Sequence, residues 1–172
     1  MSTQSIREAQ ENLGKMIAED SAKAHSKNTS AKATLTQDLK FQVSGPRGEK
    51  VETDMPPAMG GAAAAAAPGW LLRAALASCT ATVIAMRAAK LGVALETLEV
   101  TVDSNSDNRG ILGLDEKVSA GLSALRTQVR IGAKNATAEQ LQEIARWADQ
   151  HSPVACTLRE APESRLDIEI VG

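Results

Sequence analysis

Hydrophobic and polar positions change rhythm along this chain, and each rhythm predicts an element. The longest apolar stretch covers residues 68–92, PGWLLRAALASCTATVIAMRAAKLG. Pro68 suits the first turn of a helix, where its missing N–H costs nothing. Gly92 suits the stop, and Arg87 and Lys90 complement the C-terminal end of the helix dipole. Leu72, Leu76, Cys79, Val83 and Met86 recur at three- and four-residue spacing and define one apolar face. The stretch holds no acid, and Arg73, Arg87 and Lys90 are its charges. A helix apolar on nearly every side is expected to be buried. The charges interrupt the run of roughly 20 apolar residues that a membrane span requires.

The flanking rhythms are shorter. Ser5-Ile-Arg-Glu8 reads as a capping box that opens a helix running to about Lys23. Its sparse stripe of Ile6, Leu13, Met16 and Ile17 suits the outside of a domain or a partner chain. Residues 25–31 read as a linker. Residues 32–43 are strand-like, with Leu35, Leu39, Phe41 and Val43 inward. Gly45-Pro-Arg-Gly48 is a turn, and residues 50–54 return as a shorter strand, completing a hairpin. Residues 55–69 are broken by Pro56, Pro57 and Gly60-Gly61 into a loop that leads to the long helix. Residues 98–102 and 125–131 alternate with period two around a polar loop and predict an antiparallel pair. Glu99 or Asp103 then faces Arg126 or Arg130. Thr137-Ala-Glu-Gln140 is a second capping box, opening a helix with Leu141, Ile144, Ala145 and Ala148 inward. That helix ends near His151, because Ser152 precedes Pro153. Ser152 caps a further helical turn that begins at Pro153 and contains Cys156. Leu166, Ile168 and Ile170 alternate as a last strand. This order predicts an α+β fold with mostly antiparallel sheet.

Composition narrows the chemistry. A chain of 172 residues is expected to form one domain with a real core. With net charge −2, no basic patch, one Phe, two Trp and no Tyr, nucleic acid is not an expected partner. The first residues, MSTQSIREAQENLGK, have no apolar signal core, so a cytoplasmic protein is expected. Two cysteines in a reducing compartment are more often catalytic or metal-binding than structural. His25 and His151 form no zinc-spaced cluster with them, so neither metal nor cofactor is expected. Cys79 is then either a small packed residue or a reactive thiol. As a nucleophile it needs a cation from elsewhere, because it lies about three turns inside its helix, beyond the reach of that helix's N-terminus.

Several blocks decide between those readings. Asp54 and Gly60-Gly61 lead to Pro68, and residues 71–80 read LLRAALASCT. Residues 107–113 read DNRGILG, and Ser152-Pro153-Val154 follow. With this spacing, residues 32–171 resemble the OsmC/Ohr family, the osmotically inducible protein C and organic hydroperoxide resistance proteins. Residues 1–31 resemble a helical extension and linker present in some members, ahead of an OsmC-like domain at 32–172.

The resemblance implies an intertwined homodimer with antiparallel sheets around long central helices and active sites at the dimer interface. It also implies reduction of organic hydroperoxides, or of hydrogen peroxide less well. One thiolate is oxidised to a sulfenic acid, a second thiol closes a disulfide, and an external dithiol or a lipoylated protein reduces it. Cys79 falls on the position of the attacking thiol. The family's second cysteine stands immediately before the proline, where this chain has Ser152; Cys156, one helical turn later, is the tentative replacement. The carboxylate expected just after Pro68 is Gly69 here. Arg47 in the hairpin turn is a weak candidate for the activating cation. Trp70, Ser152 and Pro153 are expected to shape an apolar substrate pocket. The alternative is a non-catalytic dimeric binding module that kept the fold and lost the second thiol and the carboxylate.

Overall fold

The computed structural model describes residues 3–172. Its elements run α1 (Thr3–Glu19), β1 (Lys32–Gln37), β2 (Lys40–Ser44), β3 (Lys50–Thr53), α2 (Pro68–Lys90), β4 (Leu95–Asn105), α3 (Asn108–Ile111), β5 (Ser123–Ala133), α4 (Ala138–His151) and α5 (Pro153–Arg159). Two antiparallel sheets form, β1-β2-β3 and β4-β5. The long helix lies between them in the sequence and packs against α1, β4, α4 and α5.

The core belongs to the C-terminal half. Ile84, Ala88 and Val93 pack against Leu141, Ile144 and Ala148, with Leu98, Val100, Val129 and Ile131 closing over them from β4 and β5. Fully burying a side chain of the size of Ile84 or Ile144 contributes roughly 1.5–3 kcal/mol. The capping box at Thr137 and Gln140 is formed in both directions, which fixes where α4 starts under this core. Across the β4–β5 pair, Glu99 is opposite Arg130 and ion-paired with it at 2.9 Å. Asp103 is opposite Arg126 but accepts from Gln128 Nε2 instead, at 3.0 Å.

Four expectations change. First, the strand expected over residues 32–43 is two strands, because Asp38 turns the chain with a φ of 47°. A short polar side chain tolerates that left-handed conformation better than most. Second, α1 already includes Thr3, so Ser5 lies inside the helix rather than at its cap. Third, residues 160–172 are not a strand; Leu166 is 83% and Ile170 91% exposed. A period-two segment needs a neighbouring strand, and none accepts it within this chain. Fourth, α2 is not buried all round. Its buried residues are Leu76, Thr80, Ile84, Ala88 and Ala89, a row turned away from Leu72 and Met86, which stay exposed. Small residues at 80, 88 and 89 let α4 and β4 approach closely, and that decides the inward face. The chain buries 17% of the helix's most apolar window. By length and composition α2 could cross a membrane; its packing against α1, β4, α4 and α5 makes it the domain's central helix.

Candidate active site around Cys79

The loop before α2 is built by Asp54. This carboxylate is 3% exposed and accepts from the backbone N–H groups of Met55, Ala62 and Ala64 at 2.7, 3.1 and 2.9 Å. Those bonds, from Ala64 foremost, hold the Asp54 carboxyl below its ordinary range. Gly61 is required by the same turn, since a Cβ there would collide with the Met55 carbonyl. The Asp54 and Gly60-Gly61 block therefore shapes the entry into α2.

Cys79 sits on α2 facing the start of α5. Ser152 Oγ donates to its Sγ at 3.3 Å. Ser152 is 0% exposed and also caps α5, accepting from the Ala155 N–H at 3.4 Å. The break that Pro153 forces between α4 and α5 is what turns this serine inward, toward a cysteine 73 residues away.

Beside the pair runs an open apolar groove of about 400 Å³, lined by Leu72, Ala75, Pro153, Val154, Thr157 and Leu158. Ala75 precedes Cys79 by one turn of α2, and Pro153 follows Ser152. Of the expected pocket residues, Pro153 lines the groove; Ser152 is fully buried and, like Cys79, is not among the lining residues. Trp70 is not among the lining residues and stands 52% exposed.

The other candidates have hydrogen-bond or ion-pair partners of their own or stand exposed. Cys156 Sγ donates to the Gln150 carbonyl at 3.2 Å. Arg159 approaches it, with Nη2 3.6 Å from the sulfur. The same guanidinium holds the Asp149 carbonyl at 2.6 Å and carboxylate at 3.1 Å. Arg47 lies in the exposed β2–β3 turn, ion-paired with Glu49 at 3.0 Å. At Gly69 the nearest neighbour of an added Cβ is Arg73 Nη1, at 3.9 Å. Arg73 itself donates to Ser104 on β4 at 3.2 Å. His151 is exposed at the end of α4, stacked on Trp147 at 3.8 Å, and its Nδ1 donates to the Trp147 carbonyl at 2.7 Å. Arg87 covers the Trp147 ring at 4.6 Å. Trp147 is thus a wall between α2 and α4.

Sequence reasoning missed Arg159 and the Ser152–Cys79 bond. Arg159 follows Cys156 by three positions on a helix, a spacing that puts them on one face and could have flagged it. The Ser152–Cys79 bond joins distant parts of the chain and leaves no local signal. Among the described residues, no group of His, Cys, Asp and Glu side chains could hold a metal ion.

Comparison with known proteins bears on the fold and the family. No curated protein matches the sequence. Among solved structures, an OsmC-like protein from Mycoplasma pneumoniae superimposes with a TM-score of 0.67 at 17% identity, over 80% of this chain and 91% of that one. An organic hydroperoxide resistance protein from Legionella pneumophila superimposes with a TM-score of 0.59 at 21% identity, over 79% and 92%. A second such protein, from Elizabethkingia anophelis, gives 0.59 at 19% identity, over 80% and 91%. These likenesses show the fold. The sequence model of the OsmC-like proteins matches residues 60–167, which include α2 with Cys79, the 107–113 block and the Ser152–Pro153 junction, and the chain belongs to that family.

Proposed function

We propose that this protein reduces organic hydroperoxides with Cys79 as the attacking thiol, and that it works as a cytoplasmic homodimer. The observation that carries the proposal is the Cys79 sulfur, held by the Ser152 hydroxyl beside an apolar groove. Such a groove suits the carbon chain or ring of a hydroperoxide. A reducing compartment would keep Cys79 a thiol ready to attack.

In the first step the Cys79 thiolate attacks the terminal oxygen of ROOH. The S–O bond forms, the O–O bond breaks, and RO⁻ leaves and takes a proton to become the alcohol. Cys79 becomes a sulfenic acid. The hydroxyl of Ser152 cannot close a disulfide with it, and the Cys156 sulfur is bonded to Gln150 instead. That pairing favours a second step with thiols from outside the chain, as a dithiol or a lipoylated protein would supply, over one in which Cys156 closes the disulfide. A first thiol forms a mixed disulfide with Cys79 and releases water. A second releases the Cys79 thiol and leaves as the external disulfide. Overall, ROOH and two thiols give ROH, water and one disulfide.

The homodimer rests on apolar surface that the chain leaves open. Leu35 and Val51 on the first sheet, Leu39 in the turn between β1 and β2, Met86 on α2, and the 166–171 segment are all exposed. A second copy covering them would give the 166–171 segment its missing strand neighbour. Residues 1–31 are an accessory to the 32–172 domain: no residue of α1 is buried, and Gln10 ties it to the Met86 carbonyl at 3.1 Å.

The test is consumption of cumene or tert-butyl hydroperoxide by the reduced protein with an excess of dithiol, run beside light scattering for mass. Turnover well above that of the dithiol alone, from a particle of twice the chain mass, is expected. Absence of turnover together with tight binding of apolar ligands would favour the binding-module reading, which the hydroxyl at 152 and the missing side chain at 69 otherwise support.

A further inference from the structure

Ser152 does two things with one oxygen. A hydroxyl has one proton and two lone pairs. The α5 cap uses a lone pair, since Oγ accepts from the Ala155 N–H at 3.4 Å. The proton is directed at Cys79 Sγ, 3.3 Å away, and the residue that carries it is 0% exposed. An ionised sulfur has no proton to give, so toward a Cys79 thiolate the Ser152 hydroxyl can only donate. Among the described residues, Ser152 is the one hydrogen-bond donor to the Cys79 sulfur. Arg73, Arg159 and Arg47 are engaged with Ser104, with Asp149 and Cys156, and with Glu49. A thiolate on α2 has this hydroxyl as its local donor.

We infer that Ser152 is a positioning residue for Cys79: its hydroxyl proton fixes where the sulfur points and stabilises the thiolate. This rests on the reading of Cys79 as the attacking thiol. A hydrogen bond to a charged group is a strong one. Its loss is read as slower thiolate chemistry at Cys79 while Cys156, one turn along α5, keeps its own partners.

Alkylation by iodoacetamide, followed by mass spectrometry of the two cysteine peptides, tests this without any peroxide. Ser152→Ala and Ser152→Gly are each expected to slow Cys79 alkylation at neutral pH by about tenfold. Ser152→Thr, which keeps the hydroxyl and the cap, is expected to stay within about twofold of the natural protein. The Cys156 rate should not change in any of them. Glycine still serves as an N-cap, so a slow Ser152→Gly variant reports the hydroxyl and not a frayed helix. If the Gly variant reacts as fast as the natural protein, or the Thr variant as slowly as the Gly variant, Ser152 has no such role. A natural protein that shows this pattern but never reacts with hydroperoxide would remove the proposed activity and leave the Ser152 assignment standing.

Discussion

Cys79 and Cys156 stand on helices that pack against each other, yet their sulfurs meet different chemistry. Cys79 lies next to the core, under a buried hydroxyl and beside an apolar groove. Cys156, half-buried like Cys79, gives its proton to a backbone carbonyl, and an exposed guanidinium approaches its sulfur. One helical turn of α5 separates Ser152 from Cys156, so proximity in sequence does not set the roles. Where each side chain spends its hydrogen bond does. The lesson is that a one-turn shift of a thiol keeps it on the same helix and still gives it another partner.

The comparison breaks most sharply at the thiols themselves. Cys79→Ser should lower hydroperoxide turnover by about 10³-fold or more, as loss of a nucleophile does. Cys156→Ser should leave most of it, measured as peroxide remaining against time with a saturating dithiol. Equal losses in both variants would instead make Cys156 the second thiol of the cycle.

The next effect is on the ground beneath Cys79. Ile84, one turn beyond Thr80 on the buried row of α2, is 0% exposed in the main core. Ile84→Ala should cost about 2–5 kcal/mol in urea unfolding. At the rim, Arg159→Ala removes an ion pair whose partners are roughly half exposed, and should cost less than about 1 kcal/mol. The same substitution should slow alkylation of Cys156 severalfold and leave Cys79 unaffected, because a cation beside a sulfur favours its thiolate.

These elements were unequally legible in the sequence. The limits of α2 were written in Pro68 and Gly92, and those of α4 in the Thr137–Gln140 box and the Ser152–Pro153 break. The inward face of α2 was not. Alanine, leucine and threonine occur on all sides of that helix, so spacing alone selects no face, and the choice falls to whichever neighbours approach. The turn at Asp38 was hidden for a similar reason, since neither glycine nor proline marks it. The 166–170 segment has the right rhythm for a strand, but a rhythm does not supply a neighbour. Cys79 itself was legible through its surrounding block. Its partner at 152 was legible as a helix cap and a missing thiol, not as a donor to sulfur, because 73 residues lie between them.

The smallest expected effect serves as a control far from both thiols. Arg109 donates to Asp107 through its side chain and backbone, and holds that carboxyl down at about 2 from an ordinary value of 3.8. A depressed carboxyl stabilises the fold above its ordinary range and loses that contribution as pH falls. The window here runs from about 3.8 down toward 2. Asp107→Asn should therefore flatten the acid limb of the stability curve in that window, seen in denaturant midpoints, and change neither thiol's reactivity.

The account stands most directly on a single-turnover experiment. Reduced protein is mixed with one equivalent of cumene hydroperoxide in the presence of dimedone, quenched in acid and mapped by mass spectrometry. The account predicts a dimedone adduct of sulfenic acid on Cys79, Cys156 still a thiol, and cumyl alcohol in equal amount. An unmodified Cys79 would contradict the peroxidatic role, and a Cys79–Cys156 disulfide would contradict resolution by an outside thiol.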